Sequence, residues 1–319
     1  MHSLRSDSVT FPLSSVPGPL SEGTAAFPAA EPRRLPSGEV HIDNIIYSCD
    51  AGYRPLMLDL RLPAATATGK PVPLVIMVHG GGWVFGSRRR QAPNLYEHNV
   101  VGRIIDAGYA LAIIDYRLAR EAKFPAQILD VRAAVRWLRA HAEGFNIDPA
   151  RVALWGESAG AHLVTMAAFA TKNPEATSGE FFDVPDTVQA IVEWYGPADI
   201  TSLLPEGAAN MVEVGSEETV QGSEHPVVVA VTNSRWSAAE MSPITYVRAD
   251  VPPIFIAHGR DDTQVPVEQS RQLAAALEKA GANVTYREAD GDHVFVGSTE
   301  FDVVIEEAIA FLTRILDNS

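Results

Sequence analysis

The sequence predicts an α/β fold, a mostly parallel central sheet of about eight strands with helices on both faces, and three observations predict it. Apolar runs at residues 74–78, 110–114, 152–155, 190–194, 254–257 and 284–287 are continuous rather than alternating, as expected of strands covered on both faces. Between them lie segments with helical periodicity, so strands and helices take turns along the chain. Finally, 319 residues with 46% hydrophobic and 20% charged content can bury the core of one large layered domain.

Taken in order, residues 1–37 are rich in Ser, Pro, Gly and Ala without a sustained period and read as an extended N-terminal arm. Residues 38–319 then form the folded domain. Its first strands, 39–47 and 56–62, are joined through Asp50-Ala51-Gly52, a hairpin signal. Ile128, Val131, Val135 and Leu138 recur at helical spacing, as do Leu273, Ala276, Leu277 and Ala280 before Gly281, a C-cap residue type. Residues 301–316 read as a final amphipathic helix. The stretch 197–242 breaks the alternation and scatters Glu213, Glu217, Glu218 and Glu224. A loop this long inside a compact domain is usually functional, and it is expected to form a small cap over the sheet's C-terminal edge.

The charge and cysteine content narrow the function classes. A formal net charge of −15 and a pI near 5.0 disfavour nucleic-acid binding, which relies on basic surfaces. No run approaches the roughly 18 apolar residues of a membrane span. Residues 9–13, interrupted by Pro12, are too short for a signal-peptide core. With Cys49 as the one cysteine, these features suit a soluble, cytoplasmic protein.

The chemistry is announced by Gly156-Glu157-Ser158-Ala159-Gly160, lying between a predicted strand and a predicted helix over 161–170. That context makes the motif a nucleophile elbow: a sharp turn lifts the serine Oγ above the sheet and requires small neighbours. A serine hydroxyl needs a base and an orienting acid, which in such folds follow in the order acid, then histidine. Asp262 follows the 254–257 strand, and His293 follows the 284–287 strand. Both therefore emerge at the sheet edge that carries Ser158. Of the other histidines, His79 opens a glycine turn, His162 lies one turn into the elbow helix, and His258 precedes the acid loop. Structural roles suit all three. His79-Gly80-Gly81-Gly82-Trp83 follows the 74–78 strand; its consecutive glycines can aim N–H groups at a ligand, so Gly81, Gly82 and Ala159 are the expected oxyanion donors. No His, Cys, Asp and Glu cluster shows metal-ligand spacing.

These motifs, with Asp115-Tyr116-Arg117-Leu118-Ala119, Phe124-Pro125, Trp194-Tyr195-Gly196-Pro197 and Ser242-Pro243-Ile244, together resemble the hormone-sensitive-lipase-like and feruloyl-esterase-like bacterial carboxylesterases over about residues 40–317. The resemblance implies an α/β-hydrolase fold, a Ser158–His293–Asp262 triad, no cofactor, and hydrolysis of a small-molecule ester. It places the acid four residues after His258, at Asp262 rather than Asp261. Trp83 and Phe124 are expected to line the substrate pocket, and Trp83 beside the glycine turn favours short acyl chains. The chain departs from the lipase-like pattern at Glu157, where Asp is usual, and at Ala119-Arg120-Glu121-Ala122, where Ala-Pro-Glu is usual. A peptidase or arylformamidase on the same fold, or a ligand receptor built on an inactive hydrolase, remains open as an alternative. A homodimer is one assembly open to the chain.

Overall fold

The structure, a computed structural model, describes residues 31–49, 54–172, 181–204 and 225–317. A short β1 (Arg33–Arg34) leads into β2 (Val40–Ser48) and β3 (Leu56–Leu62). There follow β4 (Val72–Val78), α1 (Pro93–Glu97), α2 (Val100–Asp106) and β5 (Ala110–Ile114). Next come α3 (Ala126–Ala140), β6 (Ile147–Glu157), α4 (Ala159–Phe169) and β7 (Ala190–Trp194). The chain closes with α5 (Pro226–Thr232), β8 (Ile254–Gly259), α6 (Glu268–Ala280), β9 (Val284–Ala289) and α7 (Phe301–Leu316).

The strands form one sheet in the order β1-β2-β3-β5-β4-β6-β7-β8-β9. The β1–β2, β2–β3 and β3–β5 pairs are antiparallel, and every pair from β5 across to β9 is parallel. This is the mostly parallel sheet expected. The ninth strand is β1, a two-residue addition from within the expected arm, where Arg33 and Arg34 pair with His41 and Val40. β6 starts earlier than its apolar run because Ile147 pairs with Val72 ahead of the polar Asp148.

Burial explains the uninterrupted hydrophobicity. Leu74, Ile76 and Val78 of β4 enter one core layer with Ile128 and Leu138 of α3, Leu163 of α4 and Leu273 of α6. Val75 and Met77 of the same strand enter the opposite layer with Leu95 of α1, Ile104 of α2 and Phe301 of α7. A strand with apolar neighbours above and below has no polar face to alternate. The four residues that marked α3 in the sequence are all buried, and Gly281 closes α6 at φ 79°.

In the expected cap, the described part contains a short 3₁₀ turn at Ile200–Leu203 and the helix α5, whose Val228, Val229 and Val231 are buried. Pro226 starts α5 at a position where proline's missing N–H costs nothing. The hairpin turn expected at Asp50-Ala51-Gly52 and the glutamates 213, 217, 218 and 224 lie outside the described residues. Among the described residues, no helix is long and apolar enough to cross a membrane.

Candidate active site

Ser158 sits between the end of β6 and the start of α4 with φ 51° and ψ −122°, a conformation that disfavours a residue bearing a Cβ. The flanking glycines make it attainable. A Cβ on Gly156 would fall 2.4 Å from the Gly160 carbonyl oxygen, and one on Gly160 would fall 2.1 Å from that of Val78. The Ser158 N–H donates to the Trp194 carbonyl at 2.9 Å, fixing the turn to β7. The strand-to-helix elbow read from the sequence is therefore present.

Asp262 and His293 meet at this serine. His293 Nε2 lies 3.0 Å from Ser158 Oγ, and its Nδ1 lies 2.7 Å from Asp262 Oδ2. The Asp262 carboxylate, with a fully buried side chain, also accepts the N–H groups of Gln264 and Val265 at 2.8 Å each through Oδ1. His258, buried, donates from Nε2 to the Val265 carbonyl at 2.8 Å and lies 3.2 Å from Asp262 Oδ2. Burial alone would raise the Asp262 pKa, but His258, His293 and the Val265 N–H together hold it well below the usual carboxylate range. Asp261 is exposed. Asp292 ties the two loops together: its Oδ1 accepts the N–H of Thr263 at 2.8 Å and that of His293 at 2.7 Å.

The glycine turn lies against the elbow, since a Cβ on Gly80 would be 3.1 Å from Ser158 Cβ. Gly81 and Gly82 take φ 115° and 56°, and the Gly81 carbonyl accepts from Val84 and Phe85 at 3.1 Å each. Among the described residues, the Gly81, Gly82 and Ala159 N–H groups have no hydrogen-bond acceptor. The DYRLA motif braces this turn: Tyr116 stacks on His79 at 4.3 Å and donates its hydroxyl to the His79 carbonyl, and the Ala119 N–H donates to the Trp83 carbonyl at 2.8 Å. His79 and His162 thus take structural places. The Trp83 indole N–H donates to His162 Nδ1 at 3.1 Å, and His162 Nε2 donates to the Met241 carbonyl at 2.7 Å.

Trp83 and Phe124, expected to line the pocket, are each 3% exposed and belong to the core. Phe124 packs edge-on to Trp236, while its backbone N–H and carbonyl bond Asn233 and Arg235 beyond α5. Phe85 and Val296 are exposed apolar side chains, each 57% exposed. Sequence reasoning missed both, although Phe85 follows the glycine turn and Val296 follows His293 by three positions. It also missed what Glu157 and Tyr195 touch, since their partners are distant in the chain. Among the described residues, no group of His, Cys, Asp and Glu is arranged to hold a metal ion.

The BD-FAE family model matches residues 58–277, which span β3 to α6 and include Ser158 and Asp262. The chain belongs to the BD-FAE family. It is 34% identical over 244 residues to a Mycobacterium tuberculosis protein named esterase LipQ, covering 76% of this chain and 54% of that one. It is 33% identical over 230 residues to LipM of the same organism, a probable carboxylic ester hydrolase, covering 72% and 50%. The chain thus spans about half the length of these relatives. Among solved structures, a truncated carbohydrate esterase from gut microbiota superposes with a TM-score of 0.71 at 26% identity, covering 89% of this chain and 99% of that one. Esterase 2 of Thermogutta terrifontis, phosphorylated by paraoxon, does so with a TM-score of 0.68 at 21% identity, covering 87% and 94%. The fold is that of the α/β-hydrolases.

One buried acid of this BD-FAE member titrates far from its usual range. Glu193, on β7, is 2% exposed; its Oε1 accepts the Gly196 N–H at 2.7 Å, and among the described residues its Oε2 has no partner. Burial pushes its pKa up to about 8 against the opposing pull of Gly196. From its ordinary value of 4.5 up to about 8, the fold holds a proton that the unfolded chain has lost. Stability therefore falls as pH rises through that window and levels off above it. Glu193→Gln, which is neutral throughout, is expected to flatten the fall in Tm between about pH 5 and about pH 8. Equal slopes for the two proteins would contradict the assignment.

Proposed function

We propose that this chain is a serine hydrolase that cleaves carboxylic esters of short acyl chains through an acyl-enzyme intermediate. The observation that carries the reading is the bridging position of His293, 3.0 Å from Ser158 Oγ on one nitrogen and 2.7 Å from Asp262 on the other. With Asp262 ionised, Nδ1–H donates to its carboxylate, leaving the Nε2 lone pair facing the serine hydroxyl. As Oγ attacks the ester carbonyl, Nε2 takes its proton, and Asp262 stabilises the imidazolium. The N–H groups of Gly81, Gly82 and Ala159 receive the oxyanion, each worth about 3 kcal/mol in the transition state. Nε2–H then protonates the leaving alcohol. A water deprotonated by the same nitrogen attacks the acyl-enzyme and frees the acid and Ser158. Relatives named esterases support esters over amides.

Short acyl preference is supported by what closes around the oxyanion turn. A Cβ on Gly82 would lie 2.6 Å from the Pro226 side chain, so α5 presses on the donor turn. Trp83, the next residue, and Phe124 are each 3% exposed and packed in the core. This packing favours a short acyl pocket over a long apolar channel.

Two experiments test this reading. Ser158→Ala removes one oxygen and no core volume, so kcat on a nitrophenyl ester is expected to fall by a factor of about 10⁴ or more with Tm unchanged. A variant that kept a tenth of the activity would rule out the nucleophile assignment. Across nitrophenyl acetate to decanoate, kcat/KM is expected to peak by butyrate. If it instead climbs through decanoate, each methylene adding about 0.8 kcal/mol as in a continuous apolar channel, the short-chain reading is lost.

A further inference from the structure

Glu157 occupies the variable position of the elbow and is 5% exposed. Burying a carboxylate is costly unless hydrogen bonds compensate it, so its partners identify its role. Its Oε1 accepts the Gly80 N–H at 3.1 Å, and its Oε2 accepts the Tyr195 hydroxyl at 3.2 Å. Gly80 is the first glycine of the donor turn. Tyr195 lies edge-on to the His293 ring, with centroids 5.0 Å apart and planes at 68°, and also contacts Phe295 at 5.2 Å. Tyr195 is itself held with φ 44°, its N–H on the Ala257 carbonyl at 2.9 Å. One carboxylate on the residue before the nucleophile thus grips both walls of the site. Burial raises its pKa, while Gly80, Tyr195 and His293 pull the other way.

We infer that Glu157 is a positioning residue for ester hydrolysis: it sets the register of the Gly80–Gly82 turn against Ser158 and, through Tyr195, braces the His293 ring. The inference rests on the roles of Ser158, His293 and the glycine turn given above. A displacement of one of these parts weakens transition-state contacts more than substrate binding, because oxyanion donors bond fully only to the developing charge. The effect therefore falls on kcat and leaves KM nearly unchanged. Glutamine at position 157 can accept from Gly80 with its oxygen and donate to the Tyr195 oxygen with its amide, keeping both links without the charge. Alanine keeps neither.

The test measures kcat and KM on nitrophenyl acetate for the wild type, Ser158→Ala, Glu157→Ala and Glu157→Gln. Glu157→Ala is expected to lose about 100-fold in kcat, the scale of one lost oxyanion donor, with KM within about threefold. Glu157→Gln is expected to recover to within about tenfold of the wild type. A carboxylate that served stability alone would lower Tm and leave both kinetic constants of the folded enzyme in place. If Glu157→Ala keeps more than half of the wild-type kcat, or if Glu157→Gln is as impaired as Glu157→Ala, the inference is overturned. Should Glu157→Ala not fold, Tyr195→Phe decides, since it deletes only the hydroxyl that Glu157 accepts. A loss of about tenfold in kcat at constant KM supports the link, and an unchanged kcat removes it. Wild-type turnover abolished by Ser158→Ala leaves the esterase reading standing while Glu157 is judged alone. A wild type inert toward esters takes both down.

Discussion

The close approach of the elbow backbone to the end of β4 constrains every other part of the site. With the carbonyl oxygens of Val78 and His79 where a Cβ on Gly160 would fall, at 2.1 and 2.6 Å, α4 can begin directly against the neighbouring strand. That position forces Ser158 into φ 51° and presents its hydroxyl above the sheet. It also puts the glycine turn, which continues β4, within contact of Ser158. A larger residue at position 160 would separate the two strands' ends, and with them the glycine turn from Ser158.

Around that contact, parallel strands deliver the remaining groups to one edge. β8 and β9 pair directly, so the loops that follow them carry Asp262 and His293 side by side, and Asp292 fastens one loop to the other. The acid is surrounded by donors: His293, His258, Gln264 and Val265. This arrangement keeps a buried carboxylate ionised, which in turn fixes the proton of His293 on Nδ1. Burial raises the pKa of Glu157 and of Glu193 alike, but their partners differ. The first bonds the two walls of the site, and the second, bonded among the described residues through one oxygen, is driven toward its neutral form.

The sheet was legible because strands buried on both faces cannot alternate: Val75 and Ile76 serve opposite core layers and are both apolar. The elbow was legible, and Asp262 and His293 could be picked out as its candidate acid and base, because chain order and positions after strands are set by the sheet's topology. What escaped the sequence lies in pairings between distant segments. β1 consists of two exposed arginines, whose strand identity comes from the edge of β2 rather than from any pattern of their own. Glu157 read only as a departure in residue type, since its partner Gly80 is 77 positions away. Trp83 and Phe124 read as pocket residues because they adjoin functional motifs; their contacts to His162 and to Trp236 join distant segments and had no signal in the sequence.

The claim at the centre of this account is that Ser158 is the group His293 activates. Its most direct measurement is covalent: treatment with a fluorophosphonate, followed by intact mass and peptide mapping. The account predicts one adduct per chain, on Ser158, forming in step with loss of ester hydrolysis, and no adduct on Ser158→Ala. Inactivation with the label on another residue, or full labelling of Ser158→Ala, would contradict it.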